Sequence, residues 1–154
     1  MTHARQQIRE AVATILSRSP IAWKTVLKQR KEPDRVLWPY LMVHTPSDDP
    51  VAASVNSSSV QLFACDLLIE GRLRLPGNGD MATIEEQFDA MGTEIQTKLT
   101  FPALLAQIPG IKSLSPPRTN TDVLPDEDDV YFGQIVLSYT VGYAILEGIP
   151  GTLI

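Results

Sequence analysis

The chain has 154 residues, 44% hydrophobic and 20% charged, with a formal net charge of −5. These proportions fit one globular domain large enough to bury a real core, and they exclude a disordered chain, a collagen and a coiled-coil rod. The lone cysteine, Cys65, excludes an internal disulfide and a cysteine-cluster zinc site, and fits a reducing compartment.

Ile8, Ala11, Val12, Ile15 and Leu16 have the spacing of a helix with one buried face, which Thr2 can cap and Pro20 stops. Met1 to Ser19 therefore reads as a charged amphipathic helix and not as a secretion signal. No apolar run approaches the roughly 20 residues of a membrane span, so a soluble, intracellular protein is expected. Trp23 to Arg35 is basic and without a period. Val36 to His44 is nearly continuous apolar sequence and reads as a strand, with Pro39 removing one ladder donor, as at an edge or a bulge. Thr45 to Val60, rich in Ser, Asp, Pro and Asn, reads as a long irregular loop.

The clearest strand runs from Gln61 to Leu75. Phe63, Cys65, Leu67, Ile69, Leu73 and Leu75 fall on one face and Asp66, Glu70, Arg72 and Arg74 on the other, and Gly71 offers a point for a bend. A turn over residues 76–80 leads to a helix starting at Asp80 or Thr83, where Thr83 and Glu86 have capping-box spacing. Ile84, Phe88, Met91, Ile95 and Leu99 form its buried stripe, and Pro102 suits the first turn of a short helix through Ala106. Pro109 to Asp129 reads as a second irregular stretch. Val130 to Ile145 is a last long strand, with Tyr131, Ile135, Leu137, Tyr139, Val141, Tyr143 and Ile145 on one face, and residues 147–154 carry no pattern. The expected architecture is one α+β domain over residues 1–154. It has a mostly antiparallel sheet of about four strands, helices packed on one face, and long loops between strands. The flexible parts are expected at about 45–60, 113–129 and 147–154.

Catalytic signals are absent. His3 lies near a terminus and His44 at a strand end, where a surface position is expected, and neither has a partner at metal-ligand or triad spacing. Cys65 lies on an apolar strand face, as a buried inert thiol does. Gly77-Asn78-Gly79 lacks the ending of a phosphate loop and reads as a turn. No enzymatic activity, cofactor or resident metal is expected.

Charge is distributed unevenly. Residues 1–35 hold eight Lys/Arg against three acidic residues, a net of +5, and residues 36–154 hold five against fifteen, a net of −10. Such separation suits a subunit that meets copies of itself or differently charged neighbours, although a solvated basic helix and loop has the same composition. The run Asp126-Glu127-Asp128-Asp129 fits a solvated loop or a weak site for a hard cation such as Mg²⁺. Trp23 is the only aromatic among Lys24, Lys28, Arg30 and Lys31, too few for a nucleic-acid stacking platform.

The order and length of these elements resemble a known family. The opening helix around Ile8-Arg9-Glu10-Ala11-Val12 is followed by Trp38-Pro39-Tyr40-Leu41-Met42-Val43, a polar loop and a long alternating strand. A helix, the segment Pro102-Ala103-Leu104 and the closing Leu137-Ser138-Tyr139-Thr140-Val141-Gly142-Tyr143 complete the order. Across residues 4–145 this resembles the tail terminator (minor tail, tail-completion) proteins of long-tailed, lambda-like bacteriophages. The resemblance implies a late structural protein of the virion, made in the host cytoplasm and sited at the head-proximal end of the tail. It implies a homo-hexameric ring that caps the tail tube, ends polymerisation of the tube protein at tape-measure length, and offers its other side to the head–tail connector. DNA would pass through the lumen without sequence-specific binding, with no membrane involved and Mg²⁺ at most aiding oligomerisation.

On that reading the Arg5–Arg35 region, with Lys24, Lys28, Arg30, Lys31 and Arg35, meets acidic surface on the next subunit or ring. Asp66, Glu70, Arg72 and Arg74 and the run Asp126–Asp129 are further contact candidates. A neck or head-completion protein is the neighbouring alternative. A small ligand-binding or enzymatic domain with a pocket of His44, Asp66, Glu70 and Arg72 is the alternative of another class.

Overall fold

The computed structural model describes residues 3–18, 23, 25–28, 38–51, 60–75, 81–125, 131–146 and 148–154. In chain order the elements are α1 (Ala4–Leu16), β1 (Thr25–Leu27), β2 (Tyr40–His44), β3 (Asp48–Pro50), β4 (Val60–Leu75), α2 (Met81–Lys98), α3 (Phe101–Gln107), β5 (Ile111–Leu114), β6 (Arg118–Pro125), β7 (Tyr131–Leu146) and β8 (Ile149–Leu153). The class is α+β, with three helices against one mixed sheet among the described residues.

The two strongly alternating segments form the centre of that sheet. β4 and β7 pair antiparallel along their whole length, from Val60 opposite Leu146 to Leu75 opposite Tyr131, with no break in register. β2 and then β3 line the far side of β4, and β6, β5 and β8 line the far side of β7. β1 pairs parallel with β2 and is the outermost strand there among the described residues.

Among the described residues the sheet therefore has eight strands and is mixed, where about four mostly antiparallel strands were expected. The additional strands lie in the stretches read as loops: β3 within 45–60, β1 in the basic segment, β5 and β6 within 109–129, and β8 in the tail. They are short flanking strands, and Arg118 to Asp122 is exposed throughout, so burial imposes no alternation there. β2 begins at Tyr40, just after Pro39, so the proline precedes the strand instead of interrupting it. No register shift falls at Gly71.

Short breaks interrupt both flanks at the same level. At the first, Ser47 C=O accepts from Asp66 N–H (2.9 Å) and Ser47 Oγ donates to Asp66 Oδ2 (2.7 Å). At the second, Ser115 N–H donates to Thr140 C=O (2.9 Å) and Ser115 Oγ accepts from Thr140 N–H (2.7 Å). Each serine ties a departing strand back to the central pair.

All three helices contribute to a core on one sheet face. Leu41, Val43, Cys65, Leu67, Ile69, Ile135, Leu137, Val141 and Tyr143 share it with Ile8, Val12, Ile15, Ile84, Phe88, Met91, Ile95 and Leu104. Helix starts follow local chemistry. His3 caps α1, its Nδ1 accepting from Arg5 N–H at 3.2 Å, and the expected cap Thr2 lies outside the described residues. Thr100 caps α3 through Ala103 N–H at 3.3 Å, with Pro102 in the first turn.

Candidate functional site

Alternation sends the other residues of β4 and β7 to the sheet face away from the helices. Asp66, Leu68, Glu70, Arg72 and Arg74 lie there beside Gln134, Val136, Ser138 and Thr140, and the β2 register adds Tyr40, Met42 and His44. At one end the Trp38 ring stacks on Phe132, centroids 5.1 Å apart, and meets Tyr40 edge-on at 4.9 Å.

In the middle, Glu70 stands between two nitrogen groups. Its Oε1 is 3.6 Å from His44 Nε2 and its Oε2 is 3.5 Å from Arg72 Nη2. Both contacts lie within ion-pair range. Both His44 ring nitrogens and Arg72 Nε are buried without a hydrogen-bond partner among the described residues. The facing imidazole does most to hold the Glu70 carboxyl below its ordinary value of 4.5, burial opposes it, and Arg72 adds to the lowering. Because the folded chain favours the carboxylate, this stabilisation is complete above the ordinary value and is lost as pH falls through the lowered one. Glu70→Gln should therefore flatten part of the loss of urea stability between neutral pH and about pH 3. Superimposable acid profiles for the two proteins would show that Glu70 is not held this way.

His44 is only 9% exposed, so it is not the surface strand-end residue that its position suggested. Pairing of β2 with β4 sets it beside Glu70. His44, Glu70 and Arg72 come together, whereas Asp66 binds Ser47 and lies outside the group. Arg74 shares the face and is exposed. Lys28 is exposed directly after β1; Lys24, Arg30, Lys31, Arg35 and the acidic run Asp126, Glu127, Asp128 and Asp129 lie outside the described residues.

A second polar group was not foreseen. Asp48 Oδ2 accepts from Tyr143 O–H at 2.6 Å and lies 3.6 Å from Arg5 Nε, while Arg9 Nη1 donates to Thr45 Oγ1 at 2.9 Å. Two arginines counted as basic surface thus bind the chain's own β2–β3 junction. Burial first, and then Asp48, push the Tyr143 hydroxyl above its ordinary range. The Cys65 thiol is likewise pushed up to about 12, chiefly by burial, so it stays protonated and inert at neutral pH.

Among the described residues no three His, Cys, Asp or Glu groups gather as metal ligands, and no helix is long and apolar enough to cross a membrane. The fold defines a class: an α+β domain whose mixed sheet carries helices on one face and aromatic, charged and hydroxyl side chains on the other. No protein-family model and no curated protein matches the sequence.

Proposed function

We propose that the chain is a structural subunit of a long-tailed phage virion. It is a tail terminator that assembles as a homo-hexameric ring, closes the tail tube, ends tube polymerisation and presents a surface for joining the head. The reading rests on the resemblance in element order, and one structural observation supports it. The helices gather on one face of the sheet, leaving the long β4–β7 ladder with Asp66, Glu70, Arg72 and Arg74 on the other. Ring contacts are heterologous, so opposite charge on two different patches of one subunit favours them. The basic patch that meets the next subunit is centred on Lys28, Arg30 and Lys31, since Arg5 and Arg9 are engaged within the subunit.

Negative-stain imaging of the purified protein, alone and with tail tubes, tests the reading. Rings and capped tube ends are expected. Reversing charge at Lys28, Arg30 and Lys31 together should abolish both, and rings that form unchanged would refute that contact. The competing small-molecule reading has the His44–Glu70–Arg72 group in its favour. A monomer or dimer that ignores tubes would turn the assignment towards it.

A further inference from the structure

β6 is an edge strand with an unusually open position. Among the described residues it pairs only with β7, from Arg118 opposite Ser138 to Pro125 opposite Tyr131. Arg118, Thr119, Asn120, Thr121 and Asp122 are all exposed, although they alternate between the two sheet faces. The covering layer therefore stops short of residues 118–122, although Val123 further along packs against the core, and no described strand pairs with the outer edge of β6. Folded proteins usually shorten, charge or cover such an edge, because it is a template for another strand.

The sequence of the edge indicates which strand. Arg118-Thr119-Asn120-Thr121-Asp122 is complementary to itself when read antiparallel about Asn120. In that register Arg118 faces Asp122 of the second copy, Thr119 faces Thr121, and Asn120 faces Asn120. Opposite charges and threonine pairs directly across antiparallel strands are favourable cross-strand neighbours. Moving the register by two residues either way sets Arg118 against Leu124 or Asn120, so the charge match selects one alignment. Pro116, Pro117 and Pro125 bound the segment, since proline gives no ladder donor.

The charged groups are available for it. Neither Arg118 nor Asp122 makes an ion pair among the described residues. Asp122 Oδ1 accepts from the adjacent Val123 N–H at 2.9 Å, and the residue is exposed.

We propose that β6 is a homotypic docking edge that joins two copies of this chain about a twofold axis perpendicular to the sheet. Two sheets become one continuous sheet across β6, with both sets of helices on the same side. The contact is isologous, each Arg118 meeting the other copy's Asp122, and so differs from the heterologous contacts of a ring. It does not rest on the tail-terminator reading. In a free subunit it makes a dimer, and between rings it doubles them.

Sedimentation equilibrium over a concentration series tests it. Wild type should gain a species of doubled mass as concentration rises. Arg118→Asp and Asp122→Arg should each remove that species by opposing like charges, and the double exchange should restore it by making the edge self-complementary again. A wild type of constant mass, or a doubled species unaffected by either single exchange, would overturn the proposal. Asn120→Cys gives an independent reading, because that residue faces itself across the axis and Cys65 is buried. Oxidation should give a disulfide-linked dimer that Arg118→Asp suppresses. A cross-link formed equally in the Arg118→Asp background would count against the register.

Discussion

Replacing Trp23 by alanine should destabilise the domain by roughly 3–5 kcal/mol, the cost of deleting a large aromatic side chain from a packed interior. The ring is 1% exposed and belongs to the core shared by the helices and sheet. Its Nε1–H donates at 2.8 Å to the carbonyl of Leu16, the last residue of α1. That carbonyl is among those a helix end leaves without an internal partner. Lys98 Nζ, at the end of α2, lies 4.9 Å from the ring centroid and donates to the Arg18 carbonyl at 2.7 Å. Trp23 thus joins the C-terminal ends of two helices. Alanine would open a cavity and leave the Leu16 carbonyl unpaired, two separate costs. Trp23→Phe separates them, since it keeps much of the volume and loses only the donor, and should cost about 1–3 kcal/mol. Urea unfolding followed through Trp38, the other tryptophan, measures both variants. Equal losses for phenylalanine and alanine would show that the hydrogen bond carries the whole effect.

Trp23 also shows why some elements were legible in the sequence and others were not. Its segment has no hydrophobic period, because Trp23 is buried against the end of α1, seven residues before it, and the end of α2, distant in sequence. Where one face is buried and the other open, periodicity appears directly, and it located α1, α2, β4 and β7 closely. It also put Asp66, Glu70, Arg72 and Arg74 on one face. β3, with the sequence Asp48-Asp49-Pro50, and the exposed start of β6 carry no such signal. Their pairing is templated by β4 and β7, whose own registers are set by burial. The grouping of His44 with Glu70 depends on the β2 register, and Asp48 meets Tyr143 across 95 positions of sequence. No local pattern encodes either contact. Charge counting has a related blind spot: it treats every arginine as surface, while Arg5 and Arg9 fasten α1 to the sheet.

Gly71 looked like a place for β4 to bend, yet its register is unbroken, and its function is to let α2 approach the sheet. A Cβ at this position would overlap Met91 Sδ and lie 2.7 Å from Ile135 Cγ2 and 3.4 Å from Leu41 Cδ2. The Met91 thioether is flexible enough to swing aside. The Ile135 methyl is not, because a β-branched side chain is stiff at its first torsion and this one is fixed within β7. Gly71→Ala should therefore cost about 1–3 kcal/mol and Gly71→Val more, each extra carbon pushing α2 from the sheet. Removing the Met91 obstacle should make the alanine easier to accept: Gly71→Ala should cost less in a Met91→Ala background than alone, a coupling that a double-mutant cycle reads. Strictly additive costs would show that Ile135, not Met91, sets the limit. Glu70 and Arg72 flank Gly71 and point to the opposite face, so a shift of β4 must also disturb their contact with His44. The valine variant should accordingly lose part of the acid sensitivity assigned to Glu70, although residue 71 is itself uncharged and faces the core. Loss of stability with an unchanged acid profile would mean that the strand stays in place and the helix alone gives way.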